Sequence, residues 1–77
     1  MNVVNELKEL MSKIGIQDSI VNEVNPAMPL AGRVMDSLAY SAFLAAVEER
    51  YGIRILDRYA LKLKSLNDFA NFINTEA

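Results

Sequence analysis

The sequence predicts an all-α fold: a small bundle of three main helices plus one short helix, with a long loop between the first and second main helices. Three stretches repeat apolar residues at helical spacing, and no two alternating segments could pair as strands. The 77 residues suit one domain, 1–77, with one modest core. With no cysteine to form disulfides, packing between helices must supply the stability of that domain.

The first helix is predicted over roughly residues 2 to 15. Its apolar face follows the i, i+3, i+4, i+7 pattern through Val3, Val4, Leu7, Leu10, Met11 and Ile14. On the opposite face, Glu9 and Lys13 form a favourable i,i+4 pair of opposite charge. Gly15, followed by Ile16, predicts a left-handed stop at the C-terminus of this helix.

Residues 16 to 35 are predicted to form the long connection. Turn and helix-breaking residues recur along it: Asp18, Ser19, Asn22, Asn25, Pro26 and Pro29. The apolar residues between them are Ile20, Val21, Val24, Met28 and Leu30. Because a structureless loop of this length is unusual in a small domain, we expect these apolar side chains to pack the connection across the helices.

The second helix is predicted to begin at Asp36, a favourable N-cap, and to end at Gly52. Its core face consists of Tyr40, Phe43, Leu44, Val47 and Tyr51. Beyond this helix, Ile53 and Ile55 alternate with Arg54. Because no second strand is available to pair with this segment, we expect it to be extended and buried.

A short helix and the third main helix are predicted in the last part of the chain. Asp57 is expected to cap a short helical turn that runs to Leu61. Ser65 and Asp68 have the spacing of a capping box, with aspartate in the acidic position. The apolar face of the last helix consists of Leu66, Phe69, Ala70, Phe72 and Ile73.

The composition argues against several classes of function. Without histidine or cysteine, the usual zinc ligands and the commonest catalytic groups are missing, so no metal site and no catalytic residue is predicted. A net charge of −2 is unlike the basic surface of a nucleic-acid binder. The apolar runs are too short for a membrane span, and the first residues do not form a secretion signal. We therefore expect a soluble, cytoplasmic protein that is not an enzyme.

The tripeptide Asp36-Ser37-Leu38 stands where the connection gives way to the second helix. With no histidine as its base, Ser37 is poorly equipped for nucleophilic catalysis. A phosphate attached to its hydroxyl would instead lie against free backbone N–H groups at the positive end of a helix. Ser37 could equally do no more than start the helix, because the tripeptide alone is a weak signal.

The whole chain resembles the acyl carrier protein family and its peptidyl and D-alanyl relatives. The register of four segments carries the resemblance: Pro29-Leu30, Asp36-Ser37-Leu38, Glu48 to Ile55 and Ser65 to Phe69. In that family the serine of the tripeptide receives 4′-phosphopantetheine from coenzyme A through a phosphopantetheinyl transferase. The resemblance implies that Ser37 carries this group covalently, flanked by Asp36 and Leu38, with acyl intermediates as thioesters on its thiol. It also implies a monomer whose partners are acyl-loading and acyl-processing enzymes of fatty-acid, lipid or polyketide-type biosynthesis.

The charge near the second helix departs from the acidic docking surface that is usual in this family. Residues 48 to 64 hold five basic and three acidic side chains, and the stripe predicted to face solvent consists of Ala39, Ala42, Ala45 and Ala46. One interpretation is an apolar docking surface surrounded by mixed charge, with association that depends little on salt. The other is an ordinary solvated helix face.

Two other functions stay open. The chain could be an unmodified helical module that binds a partner protein through its alanine-rich face, or an aminoacyl or peptidyl carrier for a specialised pathway. A gap that accepts an acyl chain could be lined by Met28, Met35, Leu44 and Ile55. Ordinary core packing explains these four residues equally well.

Overall fold

The computed structural model describes residues 2–76, so Met1 and Ala77 of the predicted domain lie outside the described residues. Five helices follow one another: α1 (Val3–Lys13), α2 (Asp18–Glu23), α3 (Ser37–Tyr51), α4 (Asp57–Ala60) and α5 (Leu66–Glu76). Within residues 2–76 there is no strand, and an isolated bridge joins Ala31 to Met35. The predicted all-α bundle of three main helices is confirmed, with two short helices instead of one.

The ends of α1 follow from local chemistry. The side-chain oxygen of Asn2 accepts a hydrogen bond of 3.2 Å from a backbone N–H in the first turn. At the other end Gly15 has a φ of 102°, and its N–H donates to the carbonyl of Ser12 at 3.1 Å. The N–H of Ile16 donates to the carbonyl of Met11, also at 3.1 Å. This pair of bonds is a Schellman motif, so the predicted left-handed stop is confirmed.

The connection after α1 contains a helix that the sequence did not predict, so the expectation of a continuous loop over 16–35 is wrong. No side chain caps the six-residue helix α2. Its position is held instead by α1, because the Ser12 hydroxyl donates to the Asp18 carboxylate at 2.9 Å. Val21 anchors the other face of α2 in the core, where it is 4% exposed. Tertiary contacts rather than local signals therefore stabilise α2.

The remainder of the connection packs across the bundle, as the apolar residues along it predict. Leu30 is fully buried, and its N–H donates to the carbonyl of Lys64 at 2.8 Å. The N–H of Asn67 donates to the carbonyl of Pro26 at 3.0 Å. These two backbone bonds tie the connection to the start of α5.

The capping box at the start of α5 is confirmed. The Asp68 carboxylate accepts from the N–H of Ser65 at 3.1 Å, and the Ser65 hydroxyl accepts from the N–H of Asp68 at 3.3 Å. The predicted cap of α4 is wrong, because Leu56 occupies the N-cap position and Asp57 is the first helical residue. Asp57 lies there as an acidic residue in the first turn, which the helix dipole also favours.

The core lies between α1, α3 and α5. Its largest fully buried side chains are Phe43, Phe69, Leu7, Met11, Leu30, Leu66 and Val47. The rings of Phe43 and Phe69 meet edge to face, with centroids 5.1 Å apart. The extended segment after α3 buries Ile55, which is 9% exposed, as predicted. None of the helices in residues 2–76 has the length and apolarity that crossing a membrane requires.

Candidate functional site

The first turn of α3 is fixed by the side chain that precedes it. Asp36 is extended, with φ −80° and ψ −178°, and its carboxylate accepts from the N–H of Ala39 at 2.8 Å. Its carbonyl accepts from the N–H of Tyr40 at 2.9 Å. The predicted N-cap is therefore confirmed, and Ser37 becomes the first helical residue.

Ser37 and Leu38 are presented to solvent. Ser37 is exposed, and Leu38 is 83% exposed, the highest fraction among the large apolar side chains described. Because Asp36 caps only the third N–H of the helix, the N–H groups of Ser37 and Leu38 have no acceptor within the described part of the chain. The site thus combines an accessible hydroxyl with two free backbone donors.

A tight turn over residues 30–35 immediately precedes this site. The carbonyl of Leu30 accepts from the N–H groups of Val34 and Met35 at 2.8 and 3.0 Å. Gly32, with a φ of 80°, donates its N–H to the carbonyl of Met35 at 2.8 Å. Arg33 is exposed in this turn and lines a shallow recess of about 230 Å³ that ends at Asp36. This places a guanidinium in the turn immediately before the first helical residue.

The Tyr40 hydroxyl connects α3 to the segment after α4. It donates to the carbonyl of Leu63 at 2.6 Å, with the carbonyl of Ala60 at 3.2 Å. Burial raises the pKa of Tyr40 above its usual value, and the Asp68 carboxylate raises it further. Because Tyr40 lies one turn after Ser37, this contact holds the end of α4 beside the site.

The stripe predicted to face solvent is partly wrong. Ala42 and Ala45 are exposed, whereas Ala39 and Ala46 are half-buried against the core. The exposed surface of α3 is therefore narrower than predicted.

The four residues considered for an acyl-accepting gap belong to the core. Met35 and Ile55 are 3% and 9% exposed, and Met28 and Leu44 are half-buried against the same cluster. The sequence did not identify Leu61, which is 78% exposed next to the contacts of Tyr40. The available signal was a leucine at the end of a very short helix and next to Lys62, since so short a helix cannot bury every apolar side chain around it.

The structure thus brings Asp36, Ser37 and Leu38 together at one helix start. Within residues 2–76 there is no cluster of three or more side chains that could hold a metal ion. Comparison of the sequence with protein-family models and with curated proteins finds no match. The described residues form a small all-α bundle with an exposed serine at the N-terminus of α3, its longest helix.

Proposed function

We propose that this chain is an acyl carrier protein that carries acyl intermediates as thioesters on 4′-phosphopantetheine attached to Ser37. One observation carries the proposal: the Ser37 hydroxyl is exposed at the first position of α3, beside two backbone N–H groups without acceptors. The resemblance of the chain to acyl carrier proteins supplies the identity of the attached group. As such a carrier the protein would be soluble and cytoplasmic, and a substrate of enzymes rather than an enzyme.

The attachment is a phosphoryl transfer from coenzyme A. The Ser37 oxygen bonds to the phosphorus that bears pantetheine, the pyrophosphate bond breaks, and adenosine 3′,5′-bisphosphate leaves. The hydroxyl proton passes to a base of the phosphopantetheinyl transferase. The exposure of Ser37 allows that enzyme to approach.

The residues at the helix start fit the product. The phosphodiester carries one negative charge, which the N-terminus of a helix stabilises by about 0.3–1 kcal/mol. The N–H groups of Ser37 and Leu38 would hold its oxygens, with Arg33 as the nearest basic residue in sequence. Asp36 keeps its carboxylate on Ala39, so it caps the helix without occupying these donors.

The phosphopantetheine arm would supply a chemical group that the sequence lacks. The sequence offers no thiol of its own, so the arm supplies the group on which a thioester forms. A long flexible tether presents the acyl group to a docked enzyme at a high effective concentration. Acyl-loading and acyl-processing enzymes are the partners that this function requires.

Intact-mass spectrometry after incubation with coenzyme A and a promiscuous phosphopantetheinyl transferase tests the proposal. The wild-type protein should gain the mass of one phosphopantetheine, and Ser37→Ala should gain none. Ser41→Ala is the matched control, because Ser41 is an exposed serine one turn further along α3. This control should be modified like the wild type.

An unmodified interaction module is the second candidate, favoured by the exposed leucines Leu38 and Leu61. It predicts no mass gain in any of the three proteins. A gain in Ser37→Ala as well would place the modification elsewhere and contradict the proposal. An aminoacyl or peptidyl carrier predicts the same mass gain as an acyl carrier, and differs in which loading enzyme then acylates the thiol.

A further inference from the structure

Positive charge is concentrated in one stretch of the surface. Residues 54–64, here called the basic segment, contain four basic side chains and one carboxylate, Asp57, and all five are exposed. The segment has a net charge of +3 in a chain whose total is −2, so the other 66 residues carry −5. The basic side chains are Arg54, Arg58, Lys62 and Lys64.

Two of the carboxylates near the basic segment, Glu48 and Asp68, accept hydrogen bonds from the backbone. Glu48, on α3, accepts from the N–H of Ile55 at 2.7 Å and is half-buried. Asp68 accepts from the N–H groups of Lys64 and Ser65 at 3.0 and 3.1 Å. Glu49 lines a groove against α1.

None of the four basic side chains forms an ion pair within residues 2–76. The ion pair present there joins Arg50 to Glu6, outside the basic segment. The basic segment therefore has a net positive charge that no ion pair within residues 2–76 reduces, and from it we expect association to depend more on salt than the interpretation of mixed charge predicts.

The basic segment lies beside Ser37 and includes an exposed apolar side chain. The hydrogen bonds of Tyr40 to the carbonyls of Ala60 and Leu63 hold the segment against the first turns of α3. Leu61 is 78% exposed, and a groove of about 310 Å³ opens between it, Tyr40 and Lys64. An exposed leucine beside this groove, within a segment of net positive charge, suits a docking site that combines an apolar anchor with a charged rim.

We propose that the basic segment and the exposed first turns of α3 dock an acidic protein partner that presents carboxylates around an apolar hollow for Leu61. The inference rests on the proposed function for the partner being an enzyme that acts on the cargo of Ser37. Charge complementarity defines its chemistry: four unpaired cations attract a carboxylate-rich surface and repel a basic one.

A protein partner fits these observations better than a lipid surface. Binding to an anionic membrane also uses basic and apolar side chains, and its strength scales with the apolar area inserted as well as with the attraction of basic side chains to anionic lipids. The helix in the basic segment, α4, has four residues and offers little such area. Leu61 suits a single pocket in a protein.

Photo-crosslinking followed by titration tests this docking site. Benzoylphenylalanine replacing Ser41 places the probe one turn from Ser37, and the same group replacing the exposed Asn71 of α5 is the matched control. Proteins crosslinked in cells of the source organism are identified and purified. Their association with the full chain is then measured from about 0.01 M to about 0.15 M salt, where the Debye length falls from about 30 Å to about 8 Å.

The supporting result is a partner captured from position 41 and not 71, whose association rate falls about tenfold or more over that range. Lys62→Glu with Lys64→Glu should slow association at least as much, the corresponding glutamine pair should have an intermediate effect, and acid-to-lysine changes in the partner should restore the rate. Lys8→Glu with Lys13→Glu, on α1, should leave it nearly unchanged. Circular dichroism verifies that each variant is folded.

Three outcomes would overturn the proposal: no capture specific to position 41, a captured partner whose association ignores salt and charge reversal, or salt-dependent binding to vesicles of anionic lipid instead of to a protein. Failure of the proposed function is separate, because it appears as the absence of phosphopantetheine on Ser37. Docking that persists without that mass gain would leave the acidic partner established and the carrier function rejected.

Discussion

The two ends of α3 differ in how their side chains are used. At the C-terminal end, the Tyr51 hydroxyl donates to the Glu6 carboxylate at 2.7 Å, and Arg50 lies 3.6 Å from the same carboxylate. At the N-terminal end, Ser37 and Leu38 face solvent. The C-terminal end of α3 is therefore bonded to α1, whereas the first two side chains at its N-terminal end are exposed to solvent. Stabilising contacts and solvent-exposed side chains thus lie at opposite ends of α3, so substitutions at Ser37 and Leu38 should leave the bundle folded.

A substitution in the middle of α3 should lower the free energy of unfolding more than a substitution at either end of this helix. Phe43→Ala removes a fully buried ring that packs on Phe69, and should lower the free energy of unfolding by about 3–5 kcal/mol. Since small domains have about 5–15 kcal/mol in total, much of the protein should unfold at low urea. Urea denaturation followed by circular dichroism measures this. Ser41→Ala, on the exposed face, should stay within about 0.5 kcal/mol of the wild type.

The next largest loss of stability is expected at the C-terminal end of α3. Tyr51→Phe removes the hydrogen bond to Glu6 and should lower the free energy of unfolding by about 1–2 kcal/mol, since bonds to charged groups are the stronger kind but this one is only partly buried. Tyr59→Phe, the matched loss of a hydroxyl from α4, should cost less. Equal losses from both variants would mean that the contact with Glu6 does not stabilise this end.

The same contact predicts a pH dependence. Burial, and then the hydrogen bond to Glu6, raise the pKa of Tyr51 to about 12 from its ordinary value of 10.0. The folded state therefore holds this proton more tightly than the unfolded state. The resulting stabilisation is complete below pH 10 and is lost as the pH rises from about 10 to about 12. The difference in unfolding free energy between wild type and Tyr51→Phe should shrink over that window, and a constant difference would contradict this assignment.

Loss of the N-cap of α3 should have a smaller effect on the free energy of unfolding. Asp36→Ala removes the acceptor of the Ala39 N–H and should lower the free energy of unfolding by about 1 kcal/mol. Asp36→Asn keeps an acceptor and should cost only a few tenths of a kcal/mol. If the carboxylate also contacts the phosphopantetheinyl transferase, Asp36→Asn should still slow phosphopantetheine transfer. Equal transfer rates for Asp36→Asn and wild type would limit Asp36 to capping.

The smallest effect on stability should come from the most exposed leucine. Leu38→Ala should change the free energy of unfolding by less than about 0.5 kcal/mol, because 83% of that side chain is already in solvent. Leu7→Ala, in the fully buried counterpart on α1, should cost about 2–5 kcal/mol. A large loss of unfolding free energy in Leu38→Ala would show that the N-terminal end of α3 also stabilises the fold.

The sequence predicted the elements whose signals are local. Gly15, Asp36 and the pair Ser65 and Asp68 each mark a helix end through a bond within a few residues, and all three were identified. The helix α2 was missed because its support comes from Ser12 and from burial of Val21. The bond of Tyr40 to Leu63 spans 23 residues, so no local pattern could predict it. The start of α3 at Ser37 was predictable because a capped helix start is local, whereas the charge of the nearby surface depends on which carboxylates the fold engages.

If Ser37 is the attachment point of phosphopantetheine, the protein purified from cells of its source organism should carry that group, and its intact mass measures this. We predict a mass above that of the bare sequence by one phosphopantetheine, with or without an acyl group, and fragmentation that places the addition on Ser37. An unmodified mass, in cells whose other carrier proteins are modified, would show that Ser37 does not carry phosphopantetheine.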